Sequence, residues 1–159
     1  MNLTIEELIS YTDEERAKWE QWFALHGDEP LKFPLADAAH GSVGALILHI
    51  FGPELQYVQF MHDESLTDYT NFSVDRANEL FAFARRSRGL MRVWSREAKE
   101  ADWVRVFEPQ DNVRVSARKI IVHVLLHEIR HWAQIALIMR QRGIAPPGDH
   151  DLLFSKALE

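Results

Sequence analysis

Apolar residues recur along this chain at intervals of three and four over four long stretches, the period of one-sided helices. Thr4 with Glu7, and Thr12 with Glu15, both fit the capping-box pattern. The spacing therefore predicts a short first turn and then a helix from Asp13 to about Leu25, with a stripe of Trp19, Trp22 and Phe23, closed by Gly27. A loop with Pro30 and Pro34 follows. A second helix is expected from about Ser42 to Phe60, carrying Val43, Leu46, Ile47, Ile50, Leu55 and Val58. Pro53 lies inside it, which predicts a kink there or a break after Phe51. Ser73 suits the N-cap of a third helix, about Val74 to Lys99, with Leu80, Phe81, Phe83, Leu90, Met91 and Trp94 inward.

Residues 101–115 read as extended or irregular, with Trp103, Val104, Val106 and Phe107 in a short strand or a packed loop. The last helix is expected from near Ser116 to Gly143, a residue suited to ending it, with Pro146 and Pro147 beyond. The tail from Gly148 should fold back through Leu152, Leu153 and Phe154. Four long amphipathic helices imply an all-α fold, a four-helix bundle forming a single domain over residues 1–159. The connections 61–72 and 100–115 are long enough for a crossover.

Net charge is −6, which argues against a general nucleic-acid binder. Arg85, Arg86, Arg88, Arg92 and Arg96 form a local basic run, but Asp75, Glu79, Glu97 and Glu100 flank it, so a solvated face is expected. There is no cysteine, which removes disulfides, thiolate metal sites and a cysteine nucleophile. The N-terminus lacks the apolar core of a signal peptide, and no apolar run has the length of a membrane span. A cytoplasmic protein is the expectation.

The segment from Ile120 to Ile135 carries His123, His127 and His131 at successive steps of four. Residues four apart share a helix face. Eight residues of helix rise about 12 Å, whereas metal–nitrogen bonds are about 2.0–2.1 Å. One adjacent pair can therefore share an ion, and a third ligand must come from elsewhere. His49, among apolar residues of the second helix, is the best donor. A hydrogen-bonded core histidine is the competing reading. His123 is a partner of a ligand, a core residue, or a ligand itself if the register pairs it with His127. His26 suits a helix C-terminus, and His40, His62 and His150 are expected at the surface. His127-Glu128-Ile129-Arg130-His131 also matches the H-E-x-x-H motif of zinc peptidases, in which the glutamate is the general base. The histidine that some of those enzymes place six residues further on is Leu137 here.

Three parts of the chain carry a resemblance: Tyr11 to Trp19, Val43 to Glu54, and His123 to Ile135 followed by Arg140 to Gly143 and Pro146 to Asp149. On these it resembles the DinB-like family of bacterial four-helix-bundle proteins over almost its full length. That resemblance implies a metal held by one histidine of the second helix and an H-x-x-x-H pair of the last, here His49, His127 and His131. The implied cofactor is a divalent transition metal, zinc or nickel. Three neutral imidazoles leave coordination positions open, so the ion can activate water or an external thiol. Some relatives of this family are similar in fold to thiol-dependent transferases and isomerases. The resemblance therefore implies a metal-dependent S-transferase using a low-molecular-weight thiol, or a hydrolase, acting on a small molecule. The alternatives are a non-catalytic metal-binding stress protein and, less favoured, an H-E-x-x-H peptidase. Glu128 is the candidate catalytic residue or partner of a histidine, and Glu54 and Tyr57 are expected to border the pocket. The family also implies a homodimer, with the aromatic stretch 94–107 as a candidate interface.

Overall fold

A computed structural model describes residues 3–35 and 40–157. Five helices follow in order: α1 (Ile5–His26), α2 (Val43–Met61), α3 (Ala77–Glu97), the single turn α4 (Glu100–Val104) and α5 (Ala117–Gln141). Between α4 and α5 lie β1 (Val106–Gln110) and β2 (Val113–Ser116), an antiparallel hairpin pairing Phe107 with Val115. Short 3-10 turns occupy Glu29–Lys32 and Leu152–Phe154. The fold is an all-α bundle with a minor hairpin. Helices α1 and α2 each pack on both α3 and α5. Thus α1 and α2 are diagonal in the bundle, as are α3 and α5, and the 27–42 and 98–116 connections make the crossovers.

The helix ends show where local signals yield to tertiary ones. Thr4 caps α1 as expected: its hydroxyl accepts from the Glu7 amide at 3.2 Å, and the Glu7 carboxylate accepts from the Thr4 amide at 2.6 Å. The second capping pattern does not start a helix. Thr12 is buried inside α1, where its hydroxyl donates to the Ile9 carbonyl and accepts from Arg88 at 2.6 Å. One continuous helix replaces the expected turn and break. Likewise Pro53 neither breaks nor ends α2, which continues to Met61. Lacking an N–H, Pro53 leaves the carbonyl four residues back, that of His49, without its helical donor. Helix α3 starts at Ala77 rather than near Ser73, because the Asp28 carboxylate, from the α1–α2 connection, accepts from the Ala77 amide at 2.9 Å. Residues 100–104, expected to be extended or irregular, form α4, and the strand half of that expectation holds for Val106 and Phe107.

The core has two apolar clusters. One centres on Trp19, Phe23, Phe51, Phe81 and Trp132, the other on Ile9, Val58, Met91, Ile121 and Leu125. Gly44 and Gly52 let the 62–76 connection lie directly on α2. A Cβ on Gly44 would stand 2.2 Å from the Val74 carbonyl oxygen, and one on Gly52 would stand 2.5 Å from the Tyr69 ring. The 94–107 stretch turns mostly inward: Trp94 and Phe107 are buried and only Val104 and Val106 are strongly exposed among its large apolar residues.

A charged cluster touches both apolar halves. Each long helix contributes one residue: Arg16, Glu54, Arg88 and Glu128, all essentially buried. Arg16 donates to Glu128 from Nε at 2.6 Å and also to Glu54. Arg88 donates to Glu128 at 2.8 Å and to Glu54 at 3.3 Å. The Ser87 hydroxyl and the Trp132 indole complete the acceptors' partners at 2.7 and 3.0 Å. Arg88 is thus not part of a solvated basic face, because its guanidinium is the counter-charge for two carboxylates. Its neighbours Arg85 and Arg92 reach across to Glu20, and to Glu6 and Asp13, on α1.

The tail does fold back, but not through its apolar residues. Leu152, Leu153 and Phe154 are exposed. The polar contacts hold it instead. His150 pairs with the buried Glu15 and stacks on Trp19, and Tyr11 donates to the His150 carbonyl at 3.0 Å. His150 is therefore an anchor and not the exposed residue expected.

Two predictions follow from the charged cluster. Glu128→Ala leaves two buried guanidiniums short of a counter-charge and should lower unfolding free energy by about 3–5 kcal/mol, whereas Glu20→Ala, in an exposed pair, should cost about 1 kcal/mol or less; urea denaturation of both variants checks this. Burial opposes the charge on Glu54, but Arg16 and Arg88 outweigh it and hold the carboxyl at about 2 against an ordinary 4.5. The unfolded chain binds this proton first, so the stability Glu54 contributes is complete above pH 4.5 and is lost as pH falls from there toward 2. Chemical denaturation repeated across that window should show the loss, and a flat profile would contradict it.

Candidate metal centre

α2 and α5 pack against each other and carry three imidazoles to one point. His49 projects from α2, and His127 and His131 from adjacent turns of α5. Each offers one ring nitrogen, and these atoms all lie within 4.8 Å of one another. The Nε2 atoms of His127 and His131 are 2.9 Å apart. His131 Nδ1 lies 2.5 Å from the Gln134 amide oxygen, which as acceptor makes Nδ1 the protonated nitrogen and turns the Nε2 lone pair to the cluster.

All three rings are held neutral. Burial, then the neighbouring His40 and His131, pushes His49 down to about 4. Burial, then His131 and His49, pushes His127 down to about 3. His131 is lowered too, mainly by burial. A neutral imidazole is the ligating form, and a set of three with no carboxylate or thiolate suits a divalent transition metal. The donor chemistry therefore fits such an ion.

A cleft of about 400 Å³ opens beside His49 and His127. Tyr57, Phe60 and Tyr69 wall it, and His123 stands at its edge. Among the described residues, no Asp, Glu, Lys or Arg lines it. No helix among the described residues is long and apolar enough to cross a membrane.

The structure does not bring every candidate to this point. Glu128 belongs to the charged cluster, and both of its oxygens are taken by Arg16, Arg88 and the Trp132 indole. Adjacency in sequence to His127 turned it roughly 100° around the helix, into the core. It makes no contact with a histidine, so the general-base and histidine-partner roles expected of it have no geometric basis. Glu54 is buried in the same cluster, while Tyr57 does border the cleft. His123 is exposed, with its ring centre 5.4 Å from that of His127, and lies outside the ligand cluster.

His40 is the residue that sequence reasoning placed wrongly. Expected at the surface, it is half-buried, with its ring centre 4.2 Å from His49 and 6.2 Å from His131. Only the path of the α1–α2 connection brings it there, and periodicity carries no signal for that. Tyr69 was missed for the same reason. Gln134 was legible, since it follows His131 by three residues on one helix face.

A family model described as the DinB family matches residues 1–157. No curated protein matches the chain.

Because the folded protein already holds these rings neutral, protons compete little for them near neutrality. At His49 and His127, held near 4 and 3, protons should compete for the nitrogens only at acidic pH, so these two rings should lose none on binding zinc near neutrality. Calorimetric titration in buffers of different ionisation enthalpy should accordingly find less than one proton released per zinc at pH 6.5. Release of one proton or more per zinc would show that the rings are ordinary, solvated imidazoles.

Proposed function

The chain belongs to the DinB family, and on that premise we propose that it is a metal-dependent enzyme acting on a small molecule, with His49, His127 and His131 holding zinc or nickel. The observation that carries this reading is the cluster of three imidazoles, two of which, His49 and His127, line a cleft. A purely structural metal site is normally closed by four protein ligands. Here two of the three donors, His49 and His127, border a space of about 400 Å³, enough for a small organic molecule. A divalent ion bound there would supply a Lewis acid that favours the deprotonated form of a thiol or of water.

The protein's own residues define the rest. The cleft presents aromatic and aliphatic surface from Tyr57, Phe60, Leu66 and Tyr69 and, among the described residues, no fixed charge. Such a wall favours an uncharged, largely apolar acceptor over an ionic one. The chain contains no cysteine, so a sulfur nucleophile must come from outside. These features support an S-transferase using a low-molecular-weight thiol, with a hydrolase as the alternative chemistry of the same site. The peptidase reading loses its general base, because Glu128 is neutralised by two arginines. A non-catalytic metal-binding role and a homodimer remain the other parts of the proposal open to direct test.

Elemental analysis and activity measured together test this reading. The purified protein should carry about one equivalent of transition metal, and His49→Ala should carry none. With a panel of small thiols and an apolar electrophile such as a chlorodinitroarene, wild type should form thioether, and chelation or His49→Ala should abolish turnover. Metal binding without turnover of thiols or of esters would favour the non-catalytic role. Full metal content in His49→Ala would overturn the ligand set.

A further inference from the structure

His40 has no place in the three-histidine site, yet it stands against it. Its ring centre is 4.2 Å from that of His49 and 6.2 Å from that of His131. Among the three ligand candidates themselves the ring centres are 4.2, 4.9 and 5.2 Å apart. Imidazoles sharing one ion through bonds of about 2.0–2.1 Å have ring centres roughly 5 Å apart. His40 thus falls within the spacing of the set toward His49 and stands just outside it toward His131.

Its backbone is fixed for the purpose. Pro34 and Ser42 form an isolated antiparallel bridge at the neck of the connection. The Leu35 amide donates to the Gly41 carbonyl at 3.2 Å, and the Val43 amide donates to the Phe33 carbonyl at 3.0 Å. The His40 carbonyl accepts from the Ser42 amide at 2.8 Å, immediately before Ser42 caps α2. Gly41 adopts φ +70°, the left-handed conformation that reverses the chain there. His40 is therefore held at the start of the helix that bears His49, on the opposite side of the cluster from the one contacted by His123. The cleft is lined by His49, His127 and His123 but not by His40.

We propose that His40 is a fourth, exchangeable imidazole of the metal centre. The inference rests on the three-histidine reading and extends it. Three ligands sit on rigid helices and the fourth on the neck of a connection. With a metal bound, a small shift of the His40 ring toward His131 would complete a protein-only shell, and His40 would then compete with an incoming small ligand for the ion. The centre is closed at rest and opens when His40 yields.

Cobalt(II) titration of the metal-free protein tests this, with visible absorption and affinity as readouts. Wild type should bind one equivalent. His40→Ala should also bind about one equivalent, but ten- to a hundredfold more weakly and with a changed visible spectrum. Free imidazole should return the variant's spectrum toward that of wild type while leaving wild type unchanged. Azide should bind the cobalt-loaded variant at about one-tenth of the concentration wild type requires. Thermal unfolding of the metal-free proteins should differ little, since His40 is only half-buried and sits in a connection between helices. Equal cobalt affinity and identical spectra in wild type and His40→Ala would overturn the proposal and leave the three-histidine site standing. Undiminished binding by His49→Ala, or none by wild type, would overturn both.

Discussion

The four-way contact of Arg16, Glu54, Arg88 and Glu128 fixes the geometry on which everything else in this protein depends. Each long helix gives one member, and the two positive and two negative charges balance. Buried ion pairs are poor sources of net stability but strict about arrangement, because any rotation of one helix leaves a charge without its partner. Apolar side chains on the same helices would tolerate such a rotation by repacking. The cluster therefore specifies which face of each helix points inward. Glu128 precedes His131 by three residues and follows His127 by one, and Glu54 follows His49 by five. Locking the two glutamates locks the directions of all three imidazoles.

The same arrangement divides the molecule's electrostatics. Both buried carboxylates on α2 and α5 are turned to the arginines of α1 and α3, so none joins the histidines. The imidazoles are left as neutral donors with lowered proton affinity. An ion held by them keeps its full divalent charge, whereas a carboxylate ligand would cancel part of it. The described residues that line the cleft beside them add no charge. A divalent ion bound there would therefore owe its Lewis acidity to where the glutamates are sent.

Much of this was legible in the sequence, for reasons specific to particular residues. The step of four between His127 and His131, and the apolar run around His49, expose a shared face and a buried donor without any tertiary knowledge. The helices follow from their periodicity. What stayed hidden was which charges meet across the bundle. Arg88 sits in a run of arginines that reads as a wet surface, and Thr12 begins a capping pattern that reads as a helix start, yet the two are hydrogen-bonded 76 residues apart. Asp28 caps α3 from 49 residues away, which moved that helix's start. His40 reaches the centre only because the connection turns back at Gly41. Local pattern fixes what a segment becomes; long-range pairing decides which polar residues do chemistry and which do architecture.

Glu128 shows how easily those two roles are confused. It sits inside an H-E-x-x-H pattern, next to one candidate ligand and three residues before another, and a substitution there will disturb the site. Loss of activity in such a variant would match what removal of a general base produces. The geometry assigns the loss a different cause: two unpaired guanidiniums, a shift of α5 against α1 and α3, and misdirected imidazoles. The two causes separate by what else changes. A missing base leaves metal affinity and fold stability intact, whereas a broken buried pair lowers both. In this bundle the motif's glutamate and its histidines share one helix and face different neighbours, so its meaning is set by Arg16 and Arg88, which lie far outside the motif.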